Sequence, residues 1–279
     1  MAAAGSSAQA RPRPSRQAKK PLFHRLWAKP AAAKVPEVIA IFWLVKILTT
    51  AGGEVTSDWL KRYGNIGGGG VELALFVIGL LLQFRTRRYR AFSYWWLAFS
   101  IAIIGTGIAD FLHLDLHLSW LADSVLWAVI LAVVFALWHR QEGTLSIHSV
   151  HSRPREFYYW ATVFATFALG TAVGDYTAAV LNLGYFGSGI LFGVLIVLPW
   201  IAHRFFRLNA VAAFWTSYVL TRPLGASFSD WFSKPRNIKG LNYGNGTTAI
   251  VCFAMVAALV AYLVVERPDI QQGVDVAEV

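Results

Sequence analysis

The chain has one cysteine, Cys252, so no internal disulfide can form. Charge is also sparse. Asp, Glu, Lys and Arg make up 14% of the 279 residues, against about 25% in an ordinary soluble domain. With 56% hydrophobic residues and a mean hydropathy of +0.50, the chain is expected to be an all-α polytopic membrane protein. Acidic residues are the scarcer charge, 15 against 25 Lys and Arg. The net charge of +10 is not a nucleic-acid signal. Eight of the basic residues lie in the first 34 positions, and most others flank apolar runs. A secretory signal is not expected either, because no apolar core or small-residue cleavage site closely follows Arg11, Arg13 and Arg16.

Residues 1–34, rich in Ala, Arg, Lys, Pro and Ser, read as a disordered basic cytoplasmic tail. Eight apolar segments follow, at 36–60, 67–84, 91–112, 118–138, 157–180, 185–203, 209–231 and 246–265. Each is about long enough to cross roughly 30 Å of hydrocarbon. The transmembrane domain is thus expected over 35–267, with a short cytoplasmic tail at 268–279. Eighteen Lys and Arg fall in the tail, after every even-numbered segment and after the last, and five fall in the other loops. The positive-inside rule then places both termini in the cytoplasm. Lys46 and Arg222 are the two cations inside segments.

The segments repeat in pairs. Aligned on Asp58, Asp110, Asp175 and Asp230, the chain has a tryptophan fifteen residues earlier each time: Trp43, Trp95, Trp160 and Trp215. Five residues earlier there is a glycine: Gly53, Gly105, Gly170 and Gly225. Four coincidences at both offsets imply four parallel copies of a two-helix unit, at about 35–88, 89–142, 154–207 and 208–267. Each tryptophan is expected at the cytoplasmic interface. Each aspartate lies about 22 Å further along its helix. The glycines are expected to permit close helix contact.

Carboxylates at one depth carry the functional expectation. An unpaired carboxylate in a bilayer costs roughly 2.5 kcal/mol or more. Glu54, Asp58, Asp110, Asp175 and Asp230 therefore form a candidate ion-binding and metal-ligating set, accompanied by the hydroxyls of Thr50, Thr106 and Thr171. Oxygen-only ligands suit hard cations such as Mg²⁺, Mn²⁺ or Al³⁺. The bland alternative is that the aspartates cap helices at the outer surface. Lys46 lies eight residues before Glu54, and Arg222 eight before Asp230, so each is expected to compensate the acid on its own helix face. His113, His117 and Asp123 are a candidate outer relay, with a polar helix end as the simpler reading.

The runs Trp43–Thr50, Gly53-Glu54 and Ser57-Asp58, with Leu220–Ala226 and Ser229-Asp230, resemble a bacterial membrane-protein family defined by a repeat of unknown function (DUF347-like). The resemblance implies a bacterial inner-membrane protein and assigns no activity. The residues favour a transporter, a proton-coupled exporter of a hard metal cation, working in the lipid bilayer with no required cofactor. The alternative is a cation channel with a pseudo-fourfold carboxylate ring. An intramembrane enzyme is not expected. Gly174-Asp175 is only a fragment of a Gly-x-Gly-Asp run, and there is no serine nucleophile elbow.

Overall fold

A computed structural model describes residues 33–271, so most of the expected basic tail and most of the C-terminal tail lie outside the described residues. The described residues are helical, without a strand. The helices are α1 (Ala40–Leu60), α2 (Gly64–Arg85), α3 (Ala91–Asp110), α4 (Trp120–Glu142), α5 (Arg153–Asp175), α6 (Gly184–Leu195), α7 (Val197–Phe206), α8 (Ala210–Ser233) and α9 (Asn245–Glu266). Six helical runs are long and apolar enough to cross a membrane. One of them, Ala40–Arg85, runs through α1 and α2 by way of a tight turn at Lys61–Tyr63.

Local chemistry explains where the helices start and break. Ser119 and Ser152 accept hydrogen bonds from the backbone N–H groups of Ala122 and Arg155, and so begin α4 and α5. Gly143 ends α4 in the left-handed conformation, at φ 71°. Pro199 has no N–H for an intrahelical bond, and α6 gives way to α7 just before it.

α1, α3, α5 and α8 form a closed inner ring, each packed on the next, with α8 returning to α1. The remaining helices lie outside. Each packs mainly on the inner helix that follows it: α2 on α3, α4 on α5, α6 and α7 on α8, and α9 back on α1. Every inner helix is thus held by an outer helix from the preceding part of the chain, and the last closes on the first.

The four aligned glycines make this ring. A methyl group on Gly53 would overlap Ala102, one on Gly105 would press on Phe167, one on Gly170 would overlap Arg222, and one on Gly225 would overlap Thr50. The residues met are those eight positions before each aspartate on the neighbouring helix. One contact is therefore repeated four times around the ring, with glycine constant on one side and Ala, Phe, Arg or Thr on the other.

The tryptophans face the core of the ring. Trp95, Trp160 and Trp215 are buried in the main hydrophobic cluster with Tyr94, Tyr159, Tyr218 and Phe42, and Trp43 is packed against it. The ring needs bulk at this end, where no glycine draws the helices together, and the aromatic side chains supply it. At the same end, Ala33 and Lys34 belong to the packed structure, not to a free tail. Lys34 Nζ lies 3.1 Å from a Glu156 carboxylate oxygen, and Gln83 donates to the same oxygen at 3.0 Å. Burial pulls the Lys34 ammonium below its ordinary pKa, and the Glu156 charge opposes that.

Candidate functional site

The inner ring brings the acidic set together. Asp110 and Asp175 are the last residues of α3 and α5, and Asp58 and Asp230 lie in the final turns of α1 and α8. A helix C-terminus carries partial negative charge, which disfavours a carboxylate there. The aspartates are therefore poor helix caps and need positive partners. Helical turns of the wider π type follow Asp110 and Asp175 directly, at Phe111–Asp115 and Tyr176–Val180, a feature frequent at functional sites.

Two lysines read as loop charges supply the partners. Lys61 bridges Asp58 and Asp110, and Lys234 pairs with Asp58 and stands 3.7 Å from Asp230. Burial alone would lower the pKa of the Lys234 ammonium. The charges of Asp230 and Asp58 outweigh it and hold the pKa above its ordinary value. A sequence signal existed: Lys61 lies three residues after Asp58 and Lys234 four after Asp230, both on the same helix face. Asp175, half-buried, forms no ion pair among the described residues.

One turn deeper, all four ring helices meet at a third cation. Arg222 Nη2 donates to Glu54 Oε2 at 2.6 Å and to Thr171 Oγ1 at 2.7 Å, and also to Thr106 Oγ1. The Thr106 hydroxyl is 3.0 Å from the same Glu54 oxygen. Arg222 is fully buried, and Glu54 is 3% exposed. The absence of a side chain at Gly170 leaves the arginine its path between α5 and α8. Arg222 thus compensates Glu54 across the ring, not Asp230 on its own helix. Glu72 of α2 joins from outside the ring, its Oε1 accepting from Ser57 Oγ at 2.7 Å.

Some expected members stand apart. The Thr50 hydroxyl donates to the Ile47 carbonyl at 2.6 Å and lies 3.3 Å from that of Thr221, so it serves helix packing at Gly225. Lys46 does not reach Glu54, whose Oε2 is taken by Arg222. Its ammonium lies over the rings of Phe167 and Tyr218, 3.8 and 4.3 Å from their centroids. His113 bonds the Leu118 carbonyl at 2.7 Å and stacks on Trp120, and His117 is exposed with φ 56°. Asp123 is buried, without a hydrogen bond to either histidine. The three do not form a connected relay.

One oxygen from each of Glu54, Asp58 and Asp230 lies within 4.8 Å of the other two. Oxygens bound to one hard cation at 2.0–2.6 Å can stand at most about 5 Å apart, so the three can close on a single ion. An apolar groove of about 660 Å³, lined by residues including Phe92, Trp96, Phe99 and Phe253, opens on the outside of the ring. It holds no carboxylate and is not this site.

No curated protein and no solved structure matches the chain. A family model described as Repeat of Unknown Function (DUF347) matches four times, at residues 41–89, 93–144, 158–208 and 213–268. Each match covers one ring helix and the outer helix that follows it, or in the third copy the two outer helices α6 and α7. With four copies of the repeat over most of its length, the chain belongs to the DUF347 family.

Proposed function

We propose that this protein is a membrane transporter for a hard metal cation, such as Mg²⁺ or Mn²⁺, bound by Glu54, Asp58 and Asp230. The observation that carries this reading is the convergence of three carboxylate oxygens from two ring helices, in a layer closed by tethered cations. Counting Glu54, Glu72, Asp58, Asp110, Asp175 and Asp230 against Lys61, Lys234 and Arg222 leaves three formal negative charges. A divalent cation or protons offset most of them. Lys61 and Lys234 hold the aspartates while the ion is away, and an arriving cation displaces them. Asp58 is the pivot, since it touches both lysines and belongs to the ion-binding trio.

In this reading the chain crosses a bacterial inner membrane eight times, as four parallel two-helix repeats with both termini cytoplasmic. The excess of Lys and Arg in alternate loops supports that orientation, and export coupled to protons fits carboxylates that must be neutralised once the ion leaves. A channel is the weaker reading. Arg222 crosses the ring at the Glu54 layer, and the aromatic cluster fills the ring towards the termini, so the axis is obstructed twice.

The test is metal flux in proteoliposomes. Glu54→Gln and Asp58→Asn proteins that elute and melt as folded species are expected to lose flux at least a hundredfold. Wild-type flux in both variants would end this reading.

A further inference from the structure

Lys46 takes no part in the carboxylate chemistry, yet it is 0% exposed and its ammonium has no hydrogen-bond partner among the described residues. The next ring layer contains a cation that is only partly met. Arg222 uses only Nη2 on Glu54, Thr106 and Thr171, while its Nε and Nη1 are buried without partners. The Tyr218 hydroxyl is buried beside those of Tyr159 and Tyr94. Both cations flank one ring: Lys46 Nζ is 3.8 Å from the Phe167 centroid and the Arg222 guanidinium carbon 5.4 Å. They are therefore no further apart than those two distances combined. The neighbouring hydroxyls of Tyr94 and Tyr159 bond each other.

The polar groups left over in this part of the ring are thus donors. Three belong to two cations in a low-dielectric surround, where an unpaired cation is far costlier than in water. Glu54 meets one of them, and Lys46 has no ion pair among the described residues. Buried polar groups of native proteins are nearly always paired. The missing complement is an acceptor with negative charge, and it must be small, because Phe167 and Tyr218 already lie against the ammonium.

We propose that Lys46, Arg222 and Tyr218 form a second binding site, for a small monovalent anion of halide size, about one helical turn from the carboxylates towards the termini. This site is independent of the cation reading, since the orphaned donors exist whether or not Glu54 and the aspartates take a metal. The anion bridges the two cations and receives the tyrosine hydroxyl. It gives the inner half of the ring a negative charge to match the positive one expected in the outer half.

The experiment uses full-length protein in detergent with chelator present. Thermal unfolding is followed while gluconate is replaced by chloride or bromide at constant ionic strength. Wild type is expected to melt at rising temperature along a saturating curve. Tyr218→Phe, which keeps the ring that covers Lys46, should shift the half-saturating concentration at least tenfold, and Lys46→Met should abolish the response. Wild-type protein with no saturable halide effect would overturn the proposal. So would a response of equal strength in Lys46→Met and Tyr218→Phe, which would show ordinary surface binding. If Lys46→Met does not fold, Tyr218→Phe decides: an unshifted curve counts against the site.

Discussion

Replacing Glu54 by Gln keeps the shape of the side chain and removes the charge that Arg222 meets across the ring. The guanidinium stays buried, held only by the hydroxyls of Thr106 and Thr171. Breaking a buried ion pair by removing one partner costs about 3–5 kcal/mol. At a factor of ten per 1.4 kcal/mol, the folding equilibrium should fall by about 10²–10⁴. Arg222→Met should be destabilising for the converse reason, leaving a buried carboxylate. The double variant Glu54→Gln/Arg222→Met should recover most of the loss, because swapping a whole buried pair for uncharged groups is often neutral. The threonines can bear this, since their hydroxyls also lie within reach of the Ala102 and Phe167 carbonyls, at 2.9 and 3.3 Å. Denaturant unfolding of the four proteins in micelles gives the double-mutant cycle. Single losses that simply add in the double variant would refute the pairing.

Gly170→Ala should lower stability by about 1–3 kcal/mol, because its methyl overlaps Arg222 in a packed interface. Gly69→Ala, where nothing lies within 4 Å, should raise it by about 0.5–1 kcal/mol in the same unfolding assay. Lys61→Met should strengthen metal binding several-fold in isothermal titration, since a competing cation is gone; weaker binding would mean that the lysine orients the aspartates instead. Asp269 bonds the Tyr89 hydroxyl, and burial raises its carboxyl above the ordinary Asp value while that bond opposes the shift. Its folded form therefore favours the proton. The contribution is complete below the unfolded-state pKa of about 3.9 and is lost as pH rises through the raised value. Melting curves across that window should show this decline in wild type and not in Asp269→Asn.

The repeat register was open to reading because its physics is local. A glycine five residues before an aspartate recurs in each inner helix, and each such helix needs the same close contact. What crosses the ring could not be read. The partner of Glu54 is 168 positions away on α8, and nothing on α1 distinguishes Arg222 from Lys46 as that partner. Lys46 looked better placed by helix spacing, yet the size of Phe167 and Tyr218 holds it one layer away. Lys61 and Lys234 were hidden by convention, since a charge beyond an apolar run counts as loop. Their spacing of three and four from an aspartate is the cue that a helix continues past the apolar run. The fifteen-residue spacing of the tryptophans does not reveal that tertiary packing draws them into the core.

Equilibrium metal binding to the purified full-length protein tests the account most directly, with Mg²⁺ and Mn²⁺ each dialysed against wild type and Asp230→Asn. One saturable ion per chain in wild type, weakened at least a hundredfold in the variant, is the expected result. No saturable binding of either metal, or equal binding by the two proteins, would contradict the claim that these carboxylates converge to hold a cation.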